Sequence, residues 1–420
     1  MNYLRLISIC TFLFFFSCQS IDKLNNGSKR WSKERTWKWY SEQKWLVGTN
    51  FITSNSINQL EFWQEETFDL ELIEKELKLS SSIGMNTHRV FLHDLLWDQD
   101  SIGFIDRIDQ FLEISDKYGI KIMFVIFDDV WHPIPKLGKQ PDPIPHIMGS
   151  SWVQSPGVKI LTDTLKHEKL EPYVKGIIKK FANDNRVIAW DLYNEPGNYN
   201  GAPRVSEERV VEIYSNIGIT LPDDEQPNNT KNYPFYEGAY HRDKMEPGHM
   251  EKRFYTLSLI KKVFKWARDV NPSQPITAGL YDGGIPYWGN PEGLPKLEQF
   301  IVESSDVISF HSYGNTEWTL QAIRELEKYG RPLICTEYLA RGEGSTFNTI
   351  LPIFKKHKIA AYNWGLVWGK TNTIYHWNSW YTTYTAPPKL WHHDIFYPNG
   401  EPFSSDEIEF VKEIISSANK

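Results

Sequence analysis

The stretch D-L-Y-N-E-P-G-N, residues 191–198, continues the apolar run V-I-A-W and places a carboxylate, Glu195, between an asparagine and a proline. A carboxylate at the mouth of a core needs a partner or a task. Glu337 closes a second apolar run, P-L-I-C-T-E, in the same manner. Two carboxylates facing each other across a sugar are what glycosidic cleavage requires. One is protonated to assist the departing oxygen, and the other is ionised to attack or to activate water. Sequence gives no distance between them, so it leaves both modes of attack open. Further polar side chains gather at the ends of apolar runs: Asn50, Arg89, His93, Asp128, Asn194, His311, Tyr313 and Trp364. Each of the main candidates has a plainer alternative. Glu195 could be a turn residue before Pro196, Glu337 a salt-bridged strand end, Arg89 a structural ion pair and His93 a hydrogen-bonded core histidine.

The elements that must position these residues follow one repeating pattern, an amphipathic helix, a glycine and an apolar strand. Leu70, Ile73 and Leu77 space as a helix face that ends at Gly84. Ile105, Ile108, Phe111 and Leu112 repeat it before K-Y-G at 117–119, and Trp318, Ile323 and Leu326 before K-Y-G at 328–330. A glycine just past a helix and a continuous apolar strand after it are what alternating βα units produce. Strands are expected at 45–51, 87–92, 121–127, 187–194, 275–280, 306–313, 332–337 and 359–364. Eight parallel strands with helix-sized intervals predict an α/β fold, a single (β/α)8 TIM barrel. A doubly wound open sheet would want a Gly-rich phosphate loop after an early strand, and none is present. Long connections at 128–169 and 198–250, after strands three and four, leave strand C-terminal ends, where barrels build their sites. The second carries one short helical patch near 205–214.

Composition narrows the partners. The formal charge of −7 is mild and no Lys/Arg-rich run occurs, so nucleic acid is not an expected partner. Aromatics are abundant, with 17 Trp, 21 Tyr and 23 Phe, enough for both a padded core and a cleft of flat rings. Trp131, Trp152, Trp368, Trp377 and Trp380 fit either use. The pair His392-His393 lacks nearby Cys or suitably spaced acids, so neither a metal nor any other cofactor is expected.

Together, N-E-P on strand four, H-S-Y on strand six, T-E on strand seven, the arginine of H-R-V on strand two and N-W on strand eight resemble clan A glycoside hydrolases. They look most like glycoside hydrolase family 5, the cellulase/mannanase family, over roughly residues 44–370. The resemblance implies that Glu195 is the general acid/base and Glu337 the nucleophile of a retaining double displacement. It implies that Asn194 bonds the sugar 2-hydroxyl, that Arg89 and Tyr313 touch Glu337, that His311 sits near Glu195 and that Trp364 is a sugar platform. Asn50, His93 and Asp128 join the substrate-binding set. Electrostatics agree with these roles, because an anionic Glu337 raises the pKa of Glu195 while Arg89 lowers that of Glu337. One departure stands out. Strand three ends F-D-D-V-W-H, with Asp128 or Asp129 where the family has a histidine and His132 slightly beyond.

The expected activity is hydrolysis of a β-linked polysaccharide or oligosaccharide of the β-mannan or β-glucan type. The alternatives are an exo-acting β-mannosidase, β-galactosidase or arabinofuranosidase, and a non-catalytic glycan-binding lipoprotein. At the N-terminus, Arg5 precedes an apolar run at 6–16, too short to span a bilayer. The stretch F-F-S-C that follows resembles a lipobox with Cys18 as the lipidated residue. Expected organisation is a lipoprotein-type signal peptide at 1–18, a tether at 19–30 and the barrel at 31–420. A monomeric exported bacterial lipoprotein is expected, periplasm-facing or anchored at the outer membrane or cell surface, touching membrane only through that lipid. Cys335 is the one other mature cysteine, so stability must come from the core and not from a disulfide.

Overall fold

A computed structural model describes residues 29–198, 247–281, 285–380 and 382–418. Cys18, the apolar run before it and the expected helical patch near 205–214 lie outside the described residues. The eight strands are β1 (Val47–Asn50), β2 (Thr87–Phe91), β3 (Lys121–Val125), β4 (Val187–Asp191), β5 (Ile276–Thr277), β6 (Ile308–His311), β7 (Leu333–Tyr338) and β8 (Ala360–Trp364). All pairings are parallel, in the order β5-β4-β3-β2-β1-β8-β7-β6. The ring closes between β5 and β6 through the Leu280–Phe310 bridge, with Leu280 N–H donating to Ser309 O at 2.9 Å. This is the (β/α)8 barrel that the repeating pattern predicts.

A longer helix follows each strand: α1 (Leu70–Ser82), α2 (Asp94–Lys117), α3 (Glu171–Lys180), α4 (Pro247–Val270), α5 (Lys296–Ser304), α6 (Thr316–Leu326), α7 (Phe347–His357) and α8 (Ser405–Ala418). Gly84, Gly119 and Gly330 all take positive φ just past helix ends, which explains why glycine punctuates the repeat. Strands are shorter than the apolar runs suggest. β5 pairs over two residues only, and just past its end Gly279 lies against the His311 ring, where a Cβ would sit 3.2 Å from Nε2. Trp318 also departs from the expected helix face. It is 41% exposed, and Thr319, Ala322, Ile323 and Leu326 bury α6 instead.

Two cores result. Leu46, Met123, Ile188, Val307, Ile334 and Tyr362 fill the barrel interior, and a larger apolar layer lies between strands and helices. Strand alternation decides which side chains turn inward. On β2, His88 and Val90 face the helices, with His88 Nε2 2.8 Å from Ser80 Oγ of α1, so Thr87 and Arg89 face the axis. On β7 the outer-layer Cys335 should put Glu337 outside as well. A register irregularity between Cys335 and Tyr338 reverses the parity, so Glu337 turns inward and Tyr338 packs in the outer layer.

Gly48 is required where β1 meets β2. A Cβ there would lie 1.6 Å from Thr87 O. Gly48→Ala should therefore lower unfolding free energy by about 3 kcal/mol, read by urea denaturation. Unchanged stability would contradict so close an approach.

Candidate active site

Arg89 is the centre of the site. Its side chain is fully buried, and every N–H has an acceptor. Nε and Nη2 donate to Asp191 Oδ2 at 3.0 and 2.8 Å. Nη2 also donates to Asn194 Oδ1 at 2.7 Å, and Nη1 to Asn50 Oδ1 at 2.7 Å and Glu337 Oε1 at 2.8 Å. Burial opposes its charge, but Asp191 and Glu337 outweigh burial and raise its pKa. Asp191 contributes more to this than Glu337 does, and is not among the site residues expected from sequence. The signal was present, since an inward acid on a buried strand demands a cation.

Glu337 accepts on both oxygens, with Tyr313 Oη donating to Oε2 at 2.6 Å. Burial pushes Glu337 above the ordinary carboxylate range and Glu195 adds to this. His311, Arg89 and Tyr313 pull the other way. Burial and the Glu337 charge hold the Tyr313 phenol well above its usual range, so it stays a donor. Burial lowers His311 to about 4, so at neutral pH it acts as a neutral ring and not as a cation.

Glu195 follows β4 by four residues and has φ +43°, a left-handed backbone that L-residues rarely adopt. Its Oε1 is 2.8 Å from His311 Nδ1, and its Oε2 accepts from Asn198 Nδ2. His311 Nδ1 is also 3.3 Å from Glu337 Oε2. One oxygen of each glutamate and a nitrogen of His311 thus meet within 4.8 Å of one another. The same three groups could hold a cation. Against that, both Glu337 oxygens are occupied and the Arg89 guanidinium lies 2.8 Å away, which opposes a second positive charge.

The structure brings Glu195, Glu337, Arg89, Asn194, His311 and Tyr313 together. Asn194 gives Oδ1 to Arg89 and one Nδ2 hydrogen to Asp128 Oδ1 at 2.9 Å, leaving its second N–H for a ligand. Several residues expected to touch substrate lie beneath the site instead. Arg89 holds Glu337 Oε1, and Asn50 supports Arg89 with Oδ1 while its Nδ2 donates to Thr336 O at 2.8 Å. Asp128 is fully buried and accepts from Asn194, Gln59 Nε2, Trp152 Nε1 and the Val130 N–H. Burial pushes it up to about 8, against the pull of those N–H groups. His93 is buried and caps α2, with Nδ1 accepting from Leu95 N–H and Nε2 against Gln154 O at 3.0 Å, so it has no nitrogen to offer a sugar.

Trp364 is half-buried on the rim, edge-on to Phe91 and Trp152. Beside it opens a recess of about 320 Å³, counting space open to solvent, lined by Asn50, Trp152, Trp364, Thr373 and Asp394. Trp152 and Trp380 are buried packing residues. Trp131 is half-buried and stacks on Trp380, and Trp377 stands edge-on to Tyr313. His392 and His393 are buried, and burial leaves both rings uncharged at neutral pH.

No protein-family model matches the sequence, and no curated protein matches it. Solved structures do. The chain resembles mannanases and a mannosidase in fold. A β-mannanase from the blue mussel Mytilus edulis is 14% identical, over 80% of this chain and 89% of that one, at a TM-score of 0.49. An endo-β-1,4-mannanase from Thermotoga petrophila is 13% identical, over 91% and 78%, also at 0.49. An exo-β-1,4-mannosidase from an Opitutaceae bacterium is 14% identical, over 89% and 60%, again at 0.49.

Tyr313 donates to the ionised form of Glu337, so its removal must favour the protonated form. Tyr313→Phe should move the acid limb of the kcat/KM–pH profile to higher pH and lower the plateau about tenfold. An unmoved limb would separate Tyr313 from Glu337 ionisation.

Proposed function

We propose that this chain is a retaining β-glycoside hydrolase acting on a β-mannan or β-glucan type of substrate. The observation that carries the reading is the meeting of Glu195 and Glu337 oxygens within 4.8 Å. Retaining enzymes hold their carboxyl groups about 5–5.5 Å apart, whereas inverting ones need about 6.5–9.5 Å to seat a water. So close an approach of one oxygen from each carboxyl supports the first arrangement.

The roles follow from the partners. Glu337, with Arg89 and Tyr313 on its oxygens, is the carboxylate held for attack. Its oxygen bonds the anomeric carbon as the glycosidic C–O bond breaks, and the Glu195 proton passes to the departing oxygen. Water then attacks the glycosyl ester, gives its proton to Glu195 and frees the sugar and the Glu337 carboxylate. The remaining Asn194 N–H faces the sugar 2-hydroxyl, where a bond strengthens as charge develops at the adjacent carbon. The choice of β-mannan or β-glucan rests on the sequence motifs.

Glu195→Ala and Glu337→Ala should each still fold, by circular dichroism, and cut turnover on a cleaved β-glycan by about 10²-fold or more. Azide should restore the Glu195→Ala variant, yielding a β-glycosyl azide. Full activity in both variants would refute the assignment. Export with a lipid on Cys18 belongs to the same proposal and rests on the run 6–16 and the F-F-S-C that follows it. Radioactive palmitate should label the wild type in cells and not Cys18→Ser; equal labelling would refute the anchor.

A further inference from the structure

Glu195 occupies a backbone conformation that costs free energy for any L-residue, so something around it must over-determine that geometry. The turn carrying it runs from Glu195 to Asn198, whose N–H donates to Glu195 O at 2.9 Å. Gly197 within it has φ +83°, and a Cβ there would lie 2.8 Å from Leu297 Cδ2. The turn is gripped from two sides by groups the mechanism does not use.

The first is Asp129, fully buried at the end of strand three's segment. Its Oδ2 accepts from Gly197 N–H at 2.7 Å and Thr256 Oγ1 at 3.0 Å, and its Oδ1 from Tyr193 Oη at 2.9 Å. The second is Lys252 on α4, also fully buried. Its Nζ donates to Asn198 O and to Asp129 O at 3.2 Å, and lies 3.6 Å from Asp129 Oδ1. Asn198 completes the link, because its side-chain N–H donates to Glu195 Oε2. The chain thus leaves the barrel at Asn198 and returns on α4, and one ammonium ties the departing end to the returning helix. Burying a lysine is unfavourable unless it is paired and hydrogen-bonded, so this position carries a specific requirement.

We propose that the buried Lys252–Asp129 pair and Asn198 form a clamp that orients the Glu195 carboxyl, making all three positioning residues for proton transfer to the departing oxygen. The inference rests on the reading of Glu195 as acid/base. Asp128 and Asp129 then divide the work. Asp128 orients Asn194, and Asp129 holds the turn that begins one residue later.

The test is kcat/KM of the full chain on phenyl and 2,4-dinitrophenyl β-glycosides of one disaccharide, mannobiose or cellobiose, whichever the wild type cleaves. Phenolate needs the Glu195 proton to depart and dinitrophenolate does not. Lys252→Met and Asn198→Ala should each lower kcat/KM on the phenyl glycoside, by about 10²-fold for Lys252→Met, and change the dinitrophenyl value several-fold at most. Asn198→Ala removes the donor to Glu195 Oε2 and carries the comparison if Lys252→Met does not fold. Equal losses on both glycosides, or no loss on either, would overturn the clamp. Glu195→Ala run alongside separates the two claims. If it too loses equally on both glycosides, the acid/base reading fails and takes the clamp with it.

Discussion

A single buried guanidinium organises the mouth of this barrel. Arg89 brings a full positive charge to a place without solvent, which is tolerable only with acceptors on every N–H and anions to balance it. Asp191, Glu337, Asn50 and Asn194 supply them from β4, β7, β1 and the segment after β4. One side chain thereby sets the relative positions of four chain segments. Removing it would leave the buried Asp191 and Glu337 without their shared cation, a loss of about 3–5 kcal/mol. The same bond that satisfies the arginine pulls the Glu337 pKa down against the upward push of burial. Fold and reactivity share this contact.

Around that hub the backbone departs from regularity where side chains must be re-aimed. The register irregularity on β7 turns Glu337 from the helix side to the axis. The left-handed Glu195 brings its carboxyl back over the same axis from β4. A regular strand would have pointed one of the two glutamates elsewhere. Two local distortions, each held by buried hydrogen bonds, therefore bring together the oxygens that define the site.

Much of this was readable in the sequence, because it depends on period and punctuation. Apolar runs at helix-sized intervals, three of them preceded by a glycine that takes positive φ, led to the barrel and to the rim on which Glu195 and Glu337 lie. What failed was the distinction between touching substrate and holding what does. Asn50, Asp128 and His93 sit at strand ends as the pattern requires, but their bonds run downward and sideways into the protein. Residue type and strand position say nothing of which way a short polar side chain turns. Lys252 and Asn198 escaped notice for a related reason. Asp129 is distant in sequence from Lys252, and only the packing of α4 beside the paired ends of β3 and β4 brings them together. Trp318 kept helical spacing yet faces outward, since spacing alone does not choose a face at a helix's first turn.

The central claim is that Arg89 and Tyr313 hold Glu337 as the attacking carboxylate. An activated 2-deoxy-2-fluoro β-glycoside of a cleaved sugar should trap the covalent intermediate, and mass spectrometry of the digested protein reads where the sugar sits. The account predicts a stoichiometric fluoroglycosyl ester on the peptide containing Glu337. A label on Glu195, or complete turnover with inverted product and no ester, would contradict it.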